Sequence, residues 1–253
     1  MGKFKSILIT GASSGIGTAL AEALAAPDVR LALGGRALEK LQAAAASCRA
    51  KGAEVATQSV DVTDQAKTAA WIADADRARP LDLVIANAGI SGGTLGGAES
   101  DSQTREIFAV NLGGVLNTVL PILPSMLKRG RGQIGIMSSL AGYRGFPGAP
   151  AYCGSKAAVK VWGEALRGEV AAKGVGISII MPGYVKSPMT AVNDFPMPFL
   201  MPAEKAAAIV KRGLEANRAR IAFPFPTAFM AWFIGMLSPA ITDPILARLP
   251  KKG

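Results

Sequence analysis

Short apolar runs of strand length alternate along this chain with longer stretches of helical length and composition. Six apolar runs are predicted to be β-strands: Ser6–Thr10, Val29–Leu33, Glu54–Val60, Leu81–Ala86, Gln133–Met137 and Val175–Met181. Five of the stretches between and after them are predicted to be helices: Gly15–Ala26, Leu38–Lys51, Ala66–Arg79, Thr104–Lys128 and Ala157–Ala172. Because nearly continuous apolar strands must be covered on both faces, the pattern predicts an α/β fold with a doubly wound parallel sheet.

The chain has 253 residues, and neither an internal repeat nor a linker divides it. We therefore predict a single domain over residues 1–253. Residues 184–202 are rich in methionine, aromatic residues and proline and follow neither the helical nor the strand period. This segment is predicted to be a substrate lid, and residues 221–249 are predicted to be an apolar C-terminal extension.

The charge and the rare residues exclude several classes of function. The formal net charge is +10, which favours anionic partners, but no run of five or six basic residues is present, so nucleic-acid binding is not expected. The chain has no histidine and only two cysteines, Cys48 and Cys153, without CxxC spacing, so a metal site is not expected either. The N-terminal apolar run is too short for a signal peptide, and the prediction is a cytoplasmic protein.

The sequence TGASSGIG, Thr10–Gly17, follows the first predicted strand and begins the first predicted helix. Glycines in this context let the backbone approach a pyrophosphate, whose charge the helix N-terminus then stabilises. We predict a Rossmann-like dinucleotide site whose loop contacts come from six residues: Gly11, Ser13, Ser14, Gly15, Ile16 and Gly17.

Arg36 stands close to the place where an NAD enzyme has an acidic residue on the ribose. A guanidinium can meet a 2′-phosphate with two hydrogen bonds, so NADP(H) is the preferred cofactor and NAD(H) the alternative. The competing interpretation is that Arg36 simply begins the following helix on its solvent side.

Tyr152 and Lys156 are four residues apart and would share one face of a helix. Lowering the pKa of a phenol by about 3 units takes roughly 4 kcal/mol. A cation about 4 Å away at an effective dielectric constant near 20 supplies about that much. The pair can therefore form a proton relay, although a Tyr and a Lys at this spacing also occur on solvated helix faces.

Together these motifs resemble the short-chain dehydrogenase/reductase family over about Ser6–Thr190. The motifs that carry the resemblance follow in family order: the TGxxxGxG loop, Asp61-Val62, NAG at Asn87–Gly89, Asn111, Ser139, YxxxK at Tyr152–Lys156, and Pro182-Gly183. Ser139 lies thirteen residues before Tyr152, a spacing that favours it over its neighbour Ser138 as the catalytic serine.

The resemblance implies an oxidoreductase that interconverts a carbonyl and an alcohol. Tyr152 would protonate the carbonyl oxygen, Ser139 would polarise it, Lys156 would hold the nicotinamide ribose and lower the pKa of the tyrosine, and Asn111 would position a relay water. The other cofactor contacts that it implies are Asp61, Val62, Asn87, Ala88, Gly89, Pro182, Gly183, Val185 and Ser187. Ser187 stands where the family usually has threonine, and both side chains offer a hydroxyl.

The lid side chains suggest a small hydrophobic carbonyl or alcohol substrate. Phe146, Ala149 and Cys153 are near the catalytic residues in sequence and could line the same pocket. Two other functions stay open: a non-catalytic NADP(H)-sensing binding protein, and a ketoacyl-carrier reductase.

The segment Ile221–Thr242 has no charged residue and is flanked by Arg218, Arg220 and Arg248. Its three prolines leave an unbroken apolar core of only ten residues, so a membrane-spanning helix is not expected. Three roles remain for 221–242: peripheral contact with anionic lipid, a contact in a homodimer or homotetramer, or a cap over the substrate mouth.

Overall fold

The computed structural model describes residues 3–92 and 99–247, and Ile245 only in its backbone. Seven parallel strands form one sheet: β1 Ser6–Thr10, β2 Arg30–Gly35, β3 Glu54–Ser59, β4 Leu83–Ala86, β5 Gly132–Met137, β6 Val175–Pro182 and β7 Arg220–Phe223. Their order in space is β3-β2-β1-β4-β5-β6-β7. The predicted α/β fold with a doubly wound parallel sheet in a single domain is therefore confirmed.

Helices cover the sheet on both faces. They are α1 Gly15–Leu24, α2 Leu38–Ala50, α3 Gln65–Ala78, α4 Asp101–Phe108, α5 Gly114–Val119, α6 Leu123–Arg129, α7 Pro150–Val170, α8 Pro188–Ala191, α9 Ala203–Glu215, α10 Phe225–Met236 and α11 Pro239–Leu246. Apolar residues of α1, α2 and α9 form the core on one face. The core on the other face includes residues of α3, α5, α6, α7 and α10.

The structure differs from the sequence prediction in several elements. Strand β7 and the helices α8, α9, α10 and α11 were not predicted, and β7 takes up the first three residues of the proposed C-terminal extension. Helix α7 begins at Pro150 instead of Ala157, because proline is well suited to the first turn of a helix. The predicted helix Thr104–Lys128 is interrupted by a π-helical turn, Ala109–Gly113, between α4 and α5.

The stretch Asp101–Arg129 is long and apolar enough to cross a membrane by length and composition. Half of its most apolar window is buried inside the protein, and Ile107, Val115 and Met126 are fully enclosed. Such burial is typical of the core helix of a globular domain. We therefore assign this stretch to the core.

The two ends of the segment 184–202, which is predicted to be a lid, are joined by a parallel bridge between Val185 and Met201. We call this segment the lid. Beyond β7, helices α10 and α11 form the rest of the C-terminal extension. Arg144 joins α11 to the body through an ion pair with Asp243, at 2.5 Å, and a hydrogen bond to Thr242. Arg248 and the last residues of the proposed extension, 248–249, lie outside the described residues.

Candidate active site

The glycine loop, Thr10–Gly17, lies where the strand order reverses between β1 and β4. Crevices at the carboxyl ends of strands at such a point are where α/β folds bind ligands. Asn87 holds the two strand ends together, because its side-chain amide donates to the carbonyl oxygens of Thr10 at 2.9 Å and Gly11 at 3.1 Å. The predicted TGxxxGxG and NAG motifs therefore form one structure.

Close packing requires glycine at two positions of this loop. Gly11 has a φ of +65°, and a Cβ there would lie 2.7 Å from the Cα of Ala88. A Cβ on Gly17 would overlap the carbonyl oxygen of Gly11 and lie 2.6 Å from the side-chain nitrogen of Asn87. The loop can adopt this close-packed backbone only because Gly11 and Gly17 have no side chains, and hydrogen bonds from Asn87 then hold it.

The start of α1 fits the pyrophosphate of a dinucleotide. Ser14 occupies the N-cap position of α1 in extended conformation and makes no side-chain capping bond. Within the described chain, the first-turn N–H groups near Gly15, Ile16 and Gly17 therefore lack this usual partner and suit an anion. A cleft of about 530 Å³ adjoins the loop, and its lining includes Ser13, Ser14, Gly15 and Ser187.

Arg36 and Asp61 lie near each other at the ends of β2 and β3. The backbone N–H of Thr63 donates to the Asp61 carboxylate at 2.9 Å and is the main reason that the pKa of Asp61 is lowered. Arg36 adds a smaller electrostatic contribution, and its own side chain is exposed. Val62 is buried beside them, held by a bond of 2.8 Å from the Asn117 amide to its carbonyl oxygen.

Two adjacent serines at the end of β5 have different roles. The Ser138 hydroxyl donates to the backbone carbonyl of Lys156 at 2.7 Å and so ties β5 to α7. The Ser139 hydroxyl donates to the carbonyl oxygen of Pro182 at 3.4 Å and accepts from the Ala141 N–H at 3.1 Å. It lies beside the Tyr152 side chain and lowers the pKa of that phenol. The structure thus brings Ser139, not Ser138, to the tyrosine.

Lys156 is almost completely enclosed, with 3% of its surface exposed. Its ammonium donates to the carbonyl oxygen of Met137 at 3.1 Å and lies 5.7 Å from the centre of the Tyr152 ring. Burial lowers the pKa of Lys156 to about 8. A Cβ on Gly89 would lie 3.2 Å from this ammonium, so the NAG motif reaches the lysine.

The pKa of Tyr152 lies above that of a free phenol, contrary to the sequence-based prediction. Removal of the side chain from water raises this pKa, and the Ser139 hydroxyl beside it opposes the rise in part. The prediction considered a cation about 4 Å away and left out the cost of burying the phenolate. The Lys156 ammonium lies 5.7 Å from the ring centre, and burial sets the direction of the tyrosine pKa despite this neighbouring charge.

Asn111 lies in the π-helical turn, an irregularity that is frequent at functional sites. Its amide oxygen accepts from the Ile90 N–H at 2.8 Å, and its nitrogen donates to the Ile90 carbonyl at 2.9 Å and the Ser155 hydroxyl at 3.1 Å. Ser155 in turn donates to the carbonyl oxygen of Tyr152 at 2.8 Å. Asn111 is therefore linked to the first turns of α7.

We call Ser139, Tyr152, Lys156 and Asn111 the Ser–Tyr–Lys cluster.

The end of β6 carries the remaining predicted residues toward the lid. Pro182 faces Ser139, and Gly183 is followed by the buried Val185. A Cβ on Gly15 would lie 3.0 Å from the Cβ of Ser187, so the base of the lid touches the glycine loop. Cys153 is buried near the backbone of Phe146, and burial raises the pKa of its thiol.

Three residues that support the site were not identified from the sequence. The Thr10 hydroxyl accepts from the N–H groups of Asn87 at 3.0 Å and Ala88 at 3.2 Å, and Asn117 holds Val62. Glu99 accepts from the Ala151 N–H at 2.7 Å in the first turn of α7. Thr10 is part of the recognised motif and could have been found there, whereas no local pattern marks Asn117 or Glu99.

Comparison with known proteins agrees with this geometry. The short chain dehydrogenase family model matches residues 5–195. An uncharacterized oxidoreductase of Myxococcus xanthus is 38% identical over 247 residues, covering 97% of this chain and 98% of its own. The ketoacyl reductase HetN of a Nostoc species is 33% identical over 213 residues, 82% of this chain and 74% of its own.

Among solved structures, an actinorhodin polyketide ketoreductase variant with NADPH is similar, with a TM-score of 0.75 and 26% identity over 85% of this chain and 94% of its own. The chain belongs to the short-chain dehydrogenase family. It is accordingly an oxidoreductase of the type that acts on CH–OH groups with a nicotinamide cofactor.

Proposed function

We propose that this protein is an NADPH-preferring reductase or dehydrogenase that interconverts a hydrophobic carbonyl compound and its alcohol. The observation that carries the proposal is that the Ser139 hydroxyl lies beside the Tyr152 side chain, whose pKa it lowers, at the same sheet edge as the glycine loop. Two hydroxyl groups that meet at one point can hold a carbonyl oxygen between them.

Each member of the Ser–Tyr–Lys cluster has a part that follows from its surroundings. Ser139 orients and polarises the substrate oxygen, and Tyr152 delivers a proton to it during reduction. The raised pKa of Tyr152 keeps the phenol protonated at neutral pH, which suits a proton donor. Lys156 supplies positive charge beside the phenol, and Asn111 holds the helix start in place.

The glycine loop and its neighbours would hold the cofactor. The N-terminus of α1 would take the pyrophosphate, while Arg36 would read the 2′-phosphate beside Asp61. Lys156, Val185 and Ser187 would border the nicotinamide end. A bound nicotinamide cofactor supplies or accepts the hydride.

The substrate side of the site is apolar. Tyr184 packs edge-to-face on Phe195 within the lid, with ring centres 6.1 Å apart, and Phe199 and Val192 expose apolar side chains. Such a lid favours a hydrophobic ketone or alcohol over a sugar.

The test is a calorimetric titration of the purified protein with NADPH and NADH, followed by turnover of a panel of hydrophobic ketones. We expect tighter binding of NADPH, and we expect Arg36→Asp to reverse the preference, by roughly 10- to 100-fold, because a carboxylate repels the 2′-phosphate. Lys40→Asp is the matched control, since it makes the same charge change nearby on α2.

Three results would count against parts of the proposal. Binding without turnover on any ketone would favour the cofactor-sensing protein. An unchanged preference in Arg36→Asp would remove Arg36 from phosphate recognition. An equal shift in Lys40→Asp would reduce the effect to general electrostatics.

A second candidate function is the reduction of a ketoacyl thioester. It is favoured by the similarity to HetN and to the actinorhodin ketoreductase, both named for that class of activity. The two candidates are distinguished by comparing kcat/KM for acetoacetyl-coenzyme A with that for a free ketone of similar length. A thioester preference of more than about 100-fold would select the second candidate.

A further inference from the structure

Helix α10 is apolar on all sides. It has no charged residue, and the uncharged stretch that contains it extends from Ile221 to Thr242. A helix that is apolar all round is normally buried all round. Six of its large side chains are nevertheless exposed: Phe225 at 78%, Met236 at 63%, Phe229 at 54%, Met230 at 52%, Phe233 at 48% and Trp232 at 39%. We call these six residues the aromatic surface.

The inner side of α10 already has its partners. Ala228 is buried in the core beside α7, and a Cβ on Gly235 would lie 2.6 Å from the carbonyl oxygen of Tyr143. On the outer side, Phe229 stacks between Phe225 and Phe233, with ring centres 6.2 and 6.5 Å away, and Trp232 lies 5.8 Å from it. The aromatic surface is thus a continuous ridge on a helix that the body fixes in place.

This ridge stands at the sheet edge that carries the candidate active site. The N–H of Gly183 donates to the carbonyl oxygen of Phe223 at 2.8 Å, and α10 begins two residues later. Because all seven strands are parallel, their carboxyl ends share one edge of the molecule. The exposed apolar lid residues Val192 and Phe199 follow the adjacent strand end.

The charge of the chain distinguishes between the occupants that could cover such a surface. From Ala216 to Gly253 the sequence has five basic residues and one acidic residue, Asp243, which is paired with Arg144. Of the five, Arg220 is paired with Glu164, and Arg248, Lys251 and Lys252 lie outside the described residues. The whole chain carries a net charge of +10. Two copies would repel each other through this charge, whereas a surface of anionic headgroups would attract it.

We propose that the aromatic surface of α10 inserts into the interface of a bilayer that contains anionic phospholipid. Phenylalanine and methionine side chains enter the acyl boundary, tryptophan is suited to the headgroup level, and the basic residues of the C-terminal region attract the lipid. This inference does not depend on the substrate or cofactor assigned above.

The experiment is flotation of the purified full-length protein with vesicles of phosphatidylcholine alone or of equal parts phosphatidylcholine and phosphatidylglycerol. We expect binding to the anionic vesicles that weakens as salt is added. The double variant Phe229→Ser/Phe233→Ser should lower the partition coefficient at least tenfold, because two aromatic rings no longer leave water for the acyl boundary.

Val161→Ser is the matched control, since Val161 is 59% exposed on α7 and lies outside the aromatic surface. It should bind vesicles like the wild type. Trp232 provides a second readout, because its emission should shift to shorter wavelength with anionic vesicles and this shift should be lost in Trp232→Phe. Far-ultraviolet circular dichroism verifies that each variant is folded.

Several outcomes would overturn the proposal: no binding to either vesicle, equal binding to both, or unchanged binding of the double variant. A further one comes from analytical ultracentrifugation. A wild-type dimer that Phe229→Ser/Phe233→Ser converts to a monomer would show that a second copy covers the surface.

Discussion

The glycine loop and the Ser–Tyr–Lys cluster lie at the same edge of the sheet but are built in opposite ways. In the loop, backbone atoms of neighbouring segments pack directly against one another, and an added Cβ at Gly11 or Gly17 would overlap them. In the cluster, side chains from the end of β5, from α7 and from the π-helical turn converge, and hydrogen bonds through Ser155 join the turn to α7. The loop should therefore be damaged by adding atoms, and the cluster by removing them.

The largest effect should come from Tyr152→Phe. Removing one oxygen deletes the proposed proton donor, so kcat should fall about 100- to 10,000-fold. Cofactor affinity measured by titration should stay within a few-fold of the wild type, since the glycine loop is untouched. Retained turnover would show that another group donates the proton.

The two serines give a smaller and more selective contrast. Ser139→Ala should lower kcat about 100-fold, because the proposed contact with the substrate oxygen is lost. It should also cost about 1 kcal/mol in stability, because the Ser139 hydroxyl caps the Ala141 N–H. Ser138→Ala should act mainly on the free energy of unfolding, by about 0.5–1.5 kcal/mol, because one buried hydrogen bond to the Lys156 carbonyl is lost. Steady-state kinetics and urea unfolding of both variants would show whether the two roles are exchanged.

Gly17→Ala adds a single methyl group to the loop. The methyl would press on the Gly11 carbonyl and the Asn87 amide, so we expect a loss of about 1–3 kcal/mol in stability and weaker cofactor binding. Gly168→Ala, where a Cβ would meet nothing within 4 Å, is the control and should leave cofactor binding unchanged. If Gly17→Ala bound the cofactor as tightly as the wild type, the glycine loop would not be sensitive to added atoms, and the contrast with the Ser–Tyr–Lys cluster would fail.

The smallest effect concerns Lys156, where removal should help folding while it harms catalysis. Because burial lowers the folded-state pKa from 10.5 to about 8, the charged lysine destabilises the fold at neutral pH by at most about 3 kcal/mol. This cost is fully present below pH 8 and disappears as the pH rises from 8 toward the unfolded-state pKa.

Lys156→Met loses the hydrogen bond to Met137, so a net gain of about 1 kcal/mol is expected at pH 7. Melting temperatures of variant and wild type should converge by about pH 10. A constant difference from pH 7 to pH 10 would show that the lysine does not titrate in this range.

Long apolar runs and glycine motifs could be read from the sequence because each signal is local. Strand β1 was predicted with the observed bounds, and the five other predicted strands differ by one or two residues at an end. Strand β7 has only four residues, and three of them belong to the uncharged stretch Ile221–Thr242. No alternation of apolar and polar residues therefore marked it as a strand. It is recognisable as a strand only through its pairing with β6.

The motif residues of the site could also be identified from the sequence, because each motif is a local signal. The pKa values and hydrogen bonds of these residues could not be predicted in this way. The raised pKa of Tyr152 depends on its burial, and Glu99 reaches α7 across 52 positions of sequence. The division of labour between Ser138 and Ser139 likewise depends on a bond to Lys156, eighteen residues away. Burial, pKa values and long-range hydrogen bonds depend on how the elements pack together, and the spacing of residues within one segment does not reveal that packing.

The contact between Gly15 and Ser187 also bears on the order of ligand binding. Ser187 begins α8, where its N–H donates to Thr190 and Thr190 donates to the carbonyl oxygen of Val185 at the lid base. A ligand on the glycine loop would therefore lie against the start of α8, at the base of the lid. Ordered binding, with the dinucleotide entering first and leaving last, is the kinetic pattern that we expect from this arrangement.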